Sequence, residues 1–536
     1  MKGQRMLLLA LVGLVSFLSG GWLLQRGTAQ AGNVYQQARL FDDVLGFVAD
    51  YYVDSVTEAE LYEMAIDGLL RQLNDPYARY LRTEDIEELT ESTTGNYGGL
   101  GIRIEVRDGW ITVIAPMAET PADEAGIETG DRIIAVNGES TYGWDSDSAV
   151  SALRGEPGSE ITISIARPGF PEAFDVTIER AVIHIKAVQS ATVLAPDVGY
   201  ISLMQSSVSE TLRDELVDAV ERVRAEGARS LILDLRYNPG GLLDQGVEVT
   251  DLFLDPGQSV VSTRGRGRGA TESYHARSPQ RWPDMPIVVL VNGGTASAAE
   301  ILAGAIQDHD RGLIIGTETF GKGVVQTVFR LGRTEALRLT TARWYTPSGR
   351  SIQRMLSWAP SGMTLAAAEP DTTTSDSAEV YHTFGGRLVR GGGGIQPDLV
   401  VVPDTMTSGE QRFWLGLGAK LPTYRDVVTT YALDLKAEGT IRDPRFQADA
   451  IMRRELGRRL AEREIDVPDD AWDLVGQYLT YEAQRYVFGR ESETMRRLED
   501  DPQVQKALEL LREAHTVGEL FALADRESGP ETERSN

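Results

Sequence analysis

Residues Pro286 to Asp308, PIVVLVNGGTASAAEILAGAIQD, constrain the fold more than any other stretch of the chain. The valine-rich run from Pro286 to Asn292 has the unbroken apolar character of a strand covered on both faces, and Gly293-Gly294 ends it. Ile301, Leu302, Ala305 and Ile306 then recur at helical spacing. A strand, a tight turn and a helix therefore follow one another, with Ser297 where the helix begins. Unpaired N–H groups and the dipole at a helix N-terminus favour negative charge, including the charge that develops on an attacked carbonyl oxygen. On this stretch alone Ser297 reads equally as a nucleophile and as a capping serine after a glycine turn.

Composition narrows the chemistry. A chain of 536 residues, 42% hydrophobic, has room for about three to four domains with buried cores. The formal net charge of −27 argues against nucleic acid, whose phosphate backbone calls for clustered Lys and Arg. With no cysteine there is no disulfide, thiolate metal site, cysteine nucleophile or lipidated N-terminal cysteine. The five histidines, His184, His275, His309, His382 and His515, show no paired ligand spacing, so neither a metal nor another cofactor is expected.

The N-terminus carries Lys2 and Arg5, then an apolar run from Met6 to Leu24, with Ala29-Gln30-Ala31 as a candidate cleavage site. Residues 1–32 thus read as a signal peptide or an uncleaved anchor, and either places the rest beyond the membrane. Residues 33–94 have helical periodicity, with Phe41, Val44, Leu45 and Val48 on one face and Leu61, Ala65, Ile66, Leu69 and Leu73 on another. This region reads as a packing or dimerisation element.

From Gly95 the pattern changes to short strands: Leu100–Val106, Trp110–Ile114, Arg132–Val136, Ile161–Ala166 and Phe174–Ile178. One short helix is expected at Pro121–Gly126, and Asn137-Gly138 signals a hairpin. Gly99-Leu-Gly-Ile102 and PADEAGIETGDRIIAVNG, from Pro121 to Gly138, resemble a PDZ domain, here residues 95–182. The resemblance implies that backbone N–H groups near Gly99, Leu100, Gly101 and Ile102 receive a terminal carboxylate while the peptide adds as a strand.

After Ile183 strands and helices alternate in an α/β layered domain: strand Val198–Met204, helix Ser207–Glu226, strand Ser230–Leu235, helix Leu242–Leu254, then the 286–308 unit and further strands. Two glycine turns, Asn238-Pro-Gly-Gly241 and Phe320-Gly-Lys-Gly323, follow strands within it. A serine hydroxyl needs a base, and His309 lies at the far end of the helix that Ser297 opens, about 18 Å away. Lys322, between two glycines and beside Phe320, Val324 and Val325, is the alternative, provided that burial lets it carry a neutral amine.

Gly293-Gly-Thr-Ala-Ser-Ala-Ala-Glu300, Thr319-Phe-Gly-Lys-Gly-Val-Val-Gln326, the TTARWYTPSGR run from Thr340 to Arg350, Gly394-Ile-Gln-Pro-Asp398 and Asp234-Leu-Arg-Tyr-Asn-Pro-Gly-Gly241 stand in one order along the chain. Together with the PDZ segment they resemble the carboxy-terminal processing (tail-specific) proteases over residues 35–404. The resemblance implies Ser297 as nucleophile, Lys322 as general base, Gln326 as orienting amide, and an oxyanion hole from Ala298 with Gly240 or Gly241. For Gln326 to meet Lys322 four residues away, a turn or bulge is expected between them, since a straight strand separates such residues by about 13 Å. The implied fold is α+β and multidomain: a helical N-terminal region, a PDZ-like β-domain, a layered α/β (ClpP/crotonase-like) protease domain at 183–404, and a helical region at 405–536. An insertion, 354–393, separates two motifs and carries an acidic Ser/Thr-rich tract expected as an exposed loop.

In the tail, helices are expected at Asp443-Pro444 and Asp501-Pro502, with Trp472, Val475, Leu479 and Tyr486 sharing a face. They could pair protomers, hold an adaptor or cover the catalytic domain. The expected function is an extracytoplasmic serine endopeptidase on the periplasmic side of an inner membrane, acting on unfolded or tail-exposed proteins. The other readings are a non-catalytic, membrane-tethered PDZ scaffold and an acyl-thioester enzyme.

Overall fold

The apolar run after Pro286 becomes the strand Ile287–Val291, whose five residues are all buried. It lies inside a six-stranded sheet ordered Ser190–Ala195, Val198–Ser202, Ser230–Asp234, Ile287–Val291, Leu313–Gly316 and Leu399–Val400. The first pair is antiparallel and the rest parallel. Strand alternation sends Ile287, Val289 and Val291 into one apolar cluster and Val288 and Leu290 into another, which is why the run has no polar side. This computed structural model describes residues 34–107, 109–167, 170–332, 334–354, 379–403 and 406–528. The apolar N-terminal segment and nearly all of the acidic Ser/Thr-rich tract lie outside them. Among the described residues, no helix is long and apolar enough to cross a membrane.

The chain divides into two compact units, Met1–Thr83 with Thr327–Thr340, and Glu84–Gln326 with Thr341–Asn536. In the first, a helix over residues 34–51 is followed by the helix Glu58–Gln72, which Thr57 and Glu60 cap reciprocally. The strand Arg79–Leu81 pairs antiparallel with Ala336–Arg338. Phe41, Val44 and Leu69 of these helices are exposed.

The second unit holds the central sheet. The helices Leu212–Ala225, Leu243–Asp251 and Ala298–Asp308 cover one face. The helix expected from Ser207 begins only at Leu212. Val208 instead bonds to the glycine turn opposite, its N–H donating to the Gly240 carbonyl and its carbonyl accepting from Leu242 N–H, both at 2.9 Å. The other sheet face is closed by the last two helices, Pro502–Glu513 and Val517–Ser528, through Val504, Leu508, Leu511 and Leu520. Asp501 caps the first of these at Gln503 N–H and Val504 N–H, as its Asp-Pro sequence predicts. Asp443-Pro444 departs from the same expectation. Asp443 closes a single turn, accepting from Arg445 and Phe446 N–H, and the helix starts at Ala450 with Asp449 as its cap. A separate cluster joins Ser408–Leu417, Leu421–Glu438, Ala450–Ala461 and Trp472–Phe488, with Trp472, Val475, Leu479 and Tyr486 facing inward.

The PDZ segment forms a sheet ordered Ile102–Arg107, Trp110–Pro116, Arg132–Val136, Glu160–Ala166 and Phe174–Glu179. Asn137 (φ 50°) and Gly138 (φ 83°) make the hairpin turn, whose left-handed geometry suits Asn-Gly. A second helix, Ser146–Leu153, was not expected. Asp145 caps it, and only Ala149 and Leu153 are buried, too sparse a pattern to register as periodic.

Candidate active site

Ser297 occupies the N-cap position of the helix Ala298–Asp308, yet its backbone stands at φ 55°, ψ −119°. An ordinary capping serine is extended. A side-chain-bearing residue in this region costs roughly 1–3 kcal/mol and persists only where its surroundings impose it. Three contacts do so. Ala296 N–H donates to the Asn238 carbonyl (2.9 Å), Thr295 Oγ1 donates to the Leu235 carbonyl (2.8 Å), and Asn292 Oδ1 accepts from both Tyr237 N–H and Gly294 N–H. The serine turn is thereby stitched to the turn that follows the strand Ser230–Asp234.

That neighbouring turn carries the two glycines. At Gly240 (φ 83°) an added Cβ would lie 2.5 Å from the Ala296 carbonyl oxygen, 2.7 Å from Ala298 N and 2.8 Å from Ser297 Cβ, so only glycine allows the approach. Gly240 N–H is already committed, donating to Asn238 Oδ1 at 2.9 Å. Gly241 N–H and Ala298 N–H have no protein acceptor among the described residues.

Glu300, one turn into the helix, joins the serine to the lysine. Its carboxylate is fully buried and accepts from Thr319 Oγ1 (2.6 Å) and Gly321 N–H (2.7 Å) on Oε1, and from Ser297 N–H (2.8 Å) and Lys322 N–H (2.9 Å) on Oε2. One oxygen therefore holds the backbones of Ser297 and Lys322 together. Burial pushes the Glu300 carboxyl above the usual glutamate value, and the four donors, all of which favour the charged form, offset only part of that. The sequence places Glu300 at a capping-box position, but its links to residues 319–322 are long-range and had no sequence signal.

Lys322 is half-buried, and its carbonyl accepts from Trp344 Nε1 at 2.9 Å. Gly323 N–H donates to Gln353 Oε1 (2.9 Å) and its carbonyl accepts from Trp344 N–H (3.0 Å). Lys322, from which a turn or bulge toward Gln326 is expected, lies in the irregular segment just before the next strand. Gln326 lies within the strand Val324–Arg330, which pairs with Ala336–Tyr345. His309 ends the same helix, its Nε2 2.7 Å from the Ser259 carbonyl oxygen.

In the PDZ segment, Gly99 ends the strand Asn96–Gly99 and Ile102 begins the edge strand Ile102–Arg107. Between them Leu100 and Gly101 (φ 76°) present N–H groups that have no protein acceptor among the described residues. The groove beside this loop is walled by Val150 and Leu153 of the unexpected helix.

Three family models match: Peptidase family S41 at residues 197–357, PDZ domain at 112–167, and Activating protease CtpB N-terminal domain at 23–85. The carboxy-terminal-processing protease of Bartonella bacilliformis is 42% identical over 323 residues, covering 60% of this chain and 74% of that protein. The carboxy-terminal processing protease CtpA of Bacillus subtilis is 36% identical over 306 residues, covering 57% of this chain and 64% of that protein, slightly under two thirds of its length. Among solved structures, a photosystem II D1 C-terminal processing protease shares 29% identity over 59% of this chain and 89% of its own, with a TM-score of 0.34. The chain belongs to the carboxy-terminal-processing protease family of serine-type peptidases and carries a PDZ domain.

Proposed function

We propose that this chain is an extracytoplasmic endopeptidase that captures the free C-terminus of a protein with its PDZ domain and cleaves upstream by a Ser/Lys mechanism. The reading rests above all on the strained backbone of Ser297 beside two N–H groups that lack protein acceptors. Lys322, as a neutral amine, takes the hydroxyl proton while Ser297 Oγ attacks the peptide carbonyl. Ala298 N–H and Gly241 N–H receive the oxyanion, Gly240 N–H being bound to Asn238. The lysine ammonium returns the proton to the leaving amine, and the amine then activates the water that releases the acyl group. Gln326 orients the lysine from the strand Val324–Arg330 that follows it. Leu100 and Gly101 receive the tail carboxylate, and an extended tail adds to the edge strand Ile102–Arg107. Tethering raises the local concentration of the scissile segment, so modest tail affinity suffices. The segment Met6–Leu24 supports export, either as an anchor or as a removed signal.

The test is cleavage of an unstructured protein with an apolar C-terminus by purified protein. Ser297→Ala and Lys322→Ala should each abolish cleavage with circular dichroism unchanged. Retained cleavage in either variant overturns the assignment, and an intact chain that never cuts the substrate is the behaviour of a scaffold.

A further inference from the structure

The PDZ groove opens into a cavity of about 1390 Å³ whose opposite wall is the C-terminal helical region. Tyr481 of the helix Trp472–Phe488 and Arg490, Thr494 and Arg497 of the helix Arg490–Glu499 face the Leu100–Gly101 loop across it. A tail seated in the groove is therefore read from both sides.

The charge of this cavity is opposite to that of the protein. Six basic side chains line it against three acidic ones, in a chain of formal charge −27. Several of the cations are already committed: Arg154 to Glu91 (2.7 Å), Arg236 to Asp234 (2.6 Å) and Arg497 to Glu493 (2.8 Å). Arg103 and Arg490 make no ion pair or side-chain hydrogen bond among the described residues. Both line this cavity. Burial and then the nearby charges of Arg490 and Arg485 hold the Arg103 guanidinium below its usual value. Two like charges brought together without a counter-ion form an anion site.

Strand alternation fixes what reaches it. Ile102 and Ile104 lie on one face of the edge strand and Arg103 on the other. In a peptide added to that edge, alternate residues project to the Arg103 side, beginning with the penultimate one. We propose that Arg103 and Arg490 form a second recognition element of this cavity, which selects substrate tails bearing Asp or Glu at the penultimate position or two residues before it. This rests on the tail-capture reading above and specifies its substrate class.

Full-length Ser297→Ala protein binds without cutting, so fluorescence polarisation with labelled peptides tests the point. Two peptides share a free apolar C-terminus and differ only in carrying Glu or Gln at those two positions. The Glu peptide should bind about tenfold more tightly at low salt. Adding Arg103→Gln or Arg490→Gln should erase the difference while leaving the Gln peptide's affinity in place. Equal affinities for the two peptides in the Ser297→Ala protein would overturn the acidic preference. Amidating the C-terminus separates the two claims. If it does not weaken the Gln peptide, capture through the carboxylate is wrong, and if neither peptide binds, both claims fall.

Discussion

Gly240 and Glu300 set the position of Ser297 more tightly than any packing in the helix behind it. Gly240→Ala forces a methyl group into the Ala296 carbonyl and the Ala298 nitrogen, at a left-handed φ, so peptide cleavage should be lost even where the variant folds. Glu300→Gln has nearly the same shape but one acceptor oxygen fewer, so its amide NH₂ faces either both the Ser297 and Lys322 N–H groups or the Gly321 N–H and Thr319 hydroxyl. A displacement of about 1 Å can cost on the order of 100-fold in rate, and that is the loss expected in kcat. Glu300 also gives a signature in stability. Its carboxyl is raised above the usual value of 4.5, so the native state holds this proton more tightly than the unfolded chain does. The stability contributed by the protonated form is present at acid pH and lost as pH rises from 4.5 through the raised value. Urea melts across that window should show the slope in the parent chain and a flatter profile in Glu300→Gln. Ser297 and Lys322 stand out in the sequence as candidates, because a serine at a helix start leaves a local pattern and the scarcity of histidine points to lysine, and the structure brings their backbones to one carboxylate oxygen. Glu300 as the link between them was not legible there, since it joins segments that sequence spacing does not relate.

The helix that Ser297 opens, Ala298–Asp308, is held at both ends, and its far end rests on a buried ion pair. Arg350 and Asp308 are fully buried, 2.8 Å apart, and Arg350 also donates to Gln307 Oε1 at 2.6 Å while Asp308 Oδ2 accepts from Ser348 N–H at 2.9 Å. Arg350→Met leaves Asp308 charged without its partner, which should destabilise the protein by about 3–5 kcal/mol in denaturant titrations. Asp308→Asn with Arg350→Met should recover much of that loss, because no uncompensated charge remains. The strands expected from short apolar runs were readable within a residue or two at this scale, whereas Ser190–Ala195 and Ser259–Gly265 gave no expectation. Arg132–Val136 matches in full and Ser230–Leu235 ends one residue early at Asp234. The misreadings occur where tertiary contacts override local pattern: Val208 drawn to the glycine turn, and Asp443 closing a turn instead of a helix.

At the scale of the whole molecule, the second unit is bound together by Arg236. Its guanidinium reaches back to Asp234 at the end of a central strand and forward to Asp501 (2.6 Å) and Gln503 (2.8 Å) at the start of the helix Pro502–Glu513. Desolvation alone would lower this arginine, but the two aspartates outweigh it and hold it above its usual value. Removing residues 502–536 strips the cover from Ile232, Val288 and Leu290, a contiguous apolar face far too large to remain exposed. The truncated chain should be recovered as aggregate, or bind hydrophobic dye strongly and cleave nothing. The order of the chain gives this cover a further meaning. Ser297 and Lys322 are synthesised well before the helices Pro502–Glu513 and Val517–Ser528 that complete their sheet, so on the proposed reading a growing chain holds both reacting groups before that sheet is covered. Under the proposed mechanism, completion of the fold acts as a timer: cutting waits until the helices Pro502–Glu513 and Val517–Ser528 have closed the sheet.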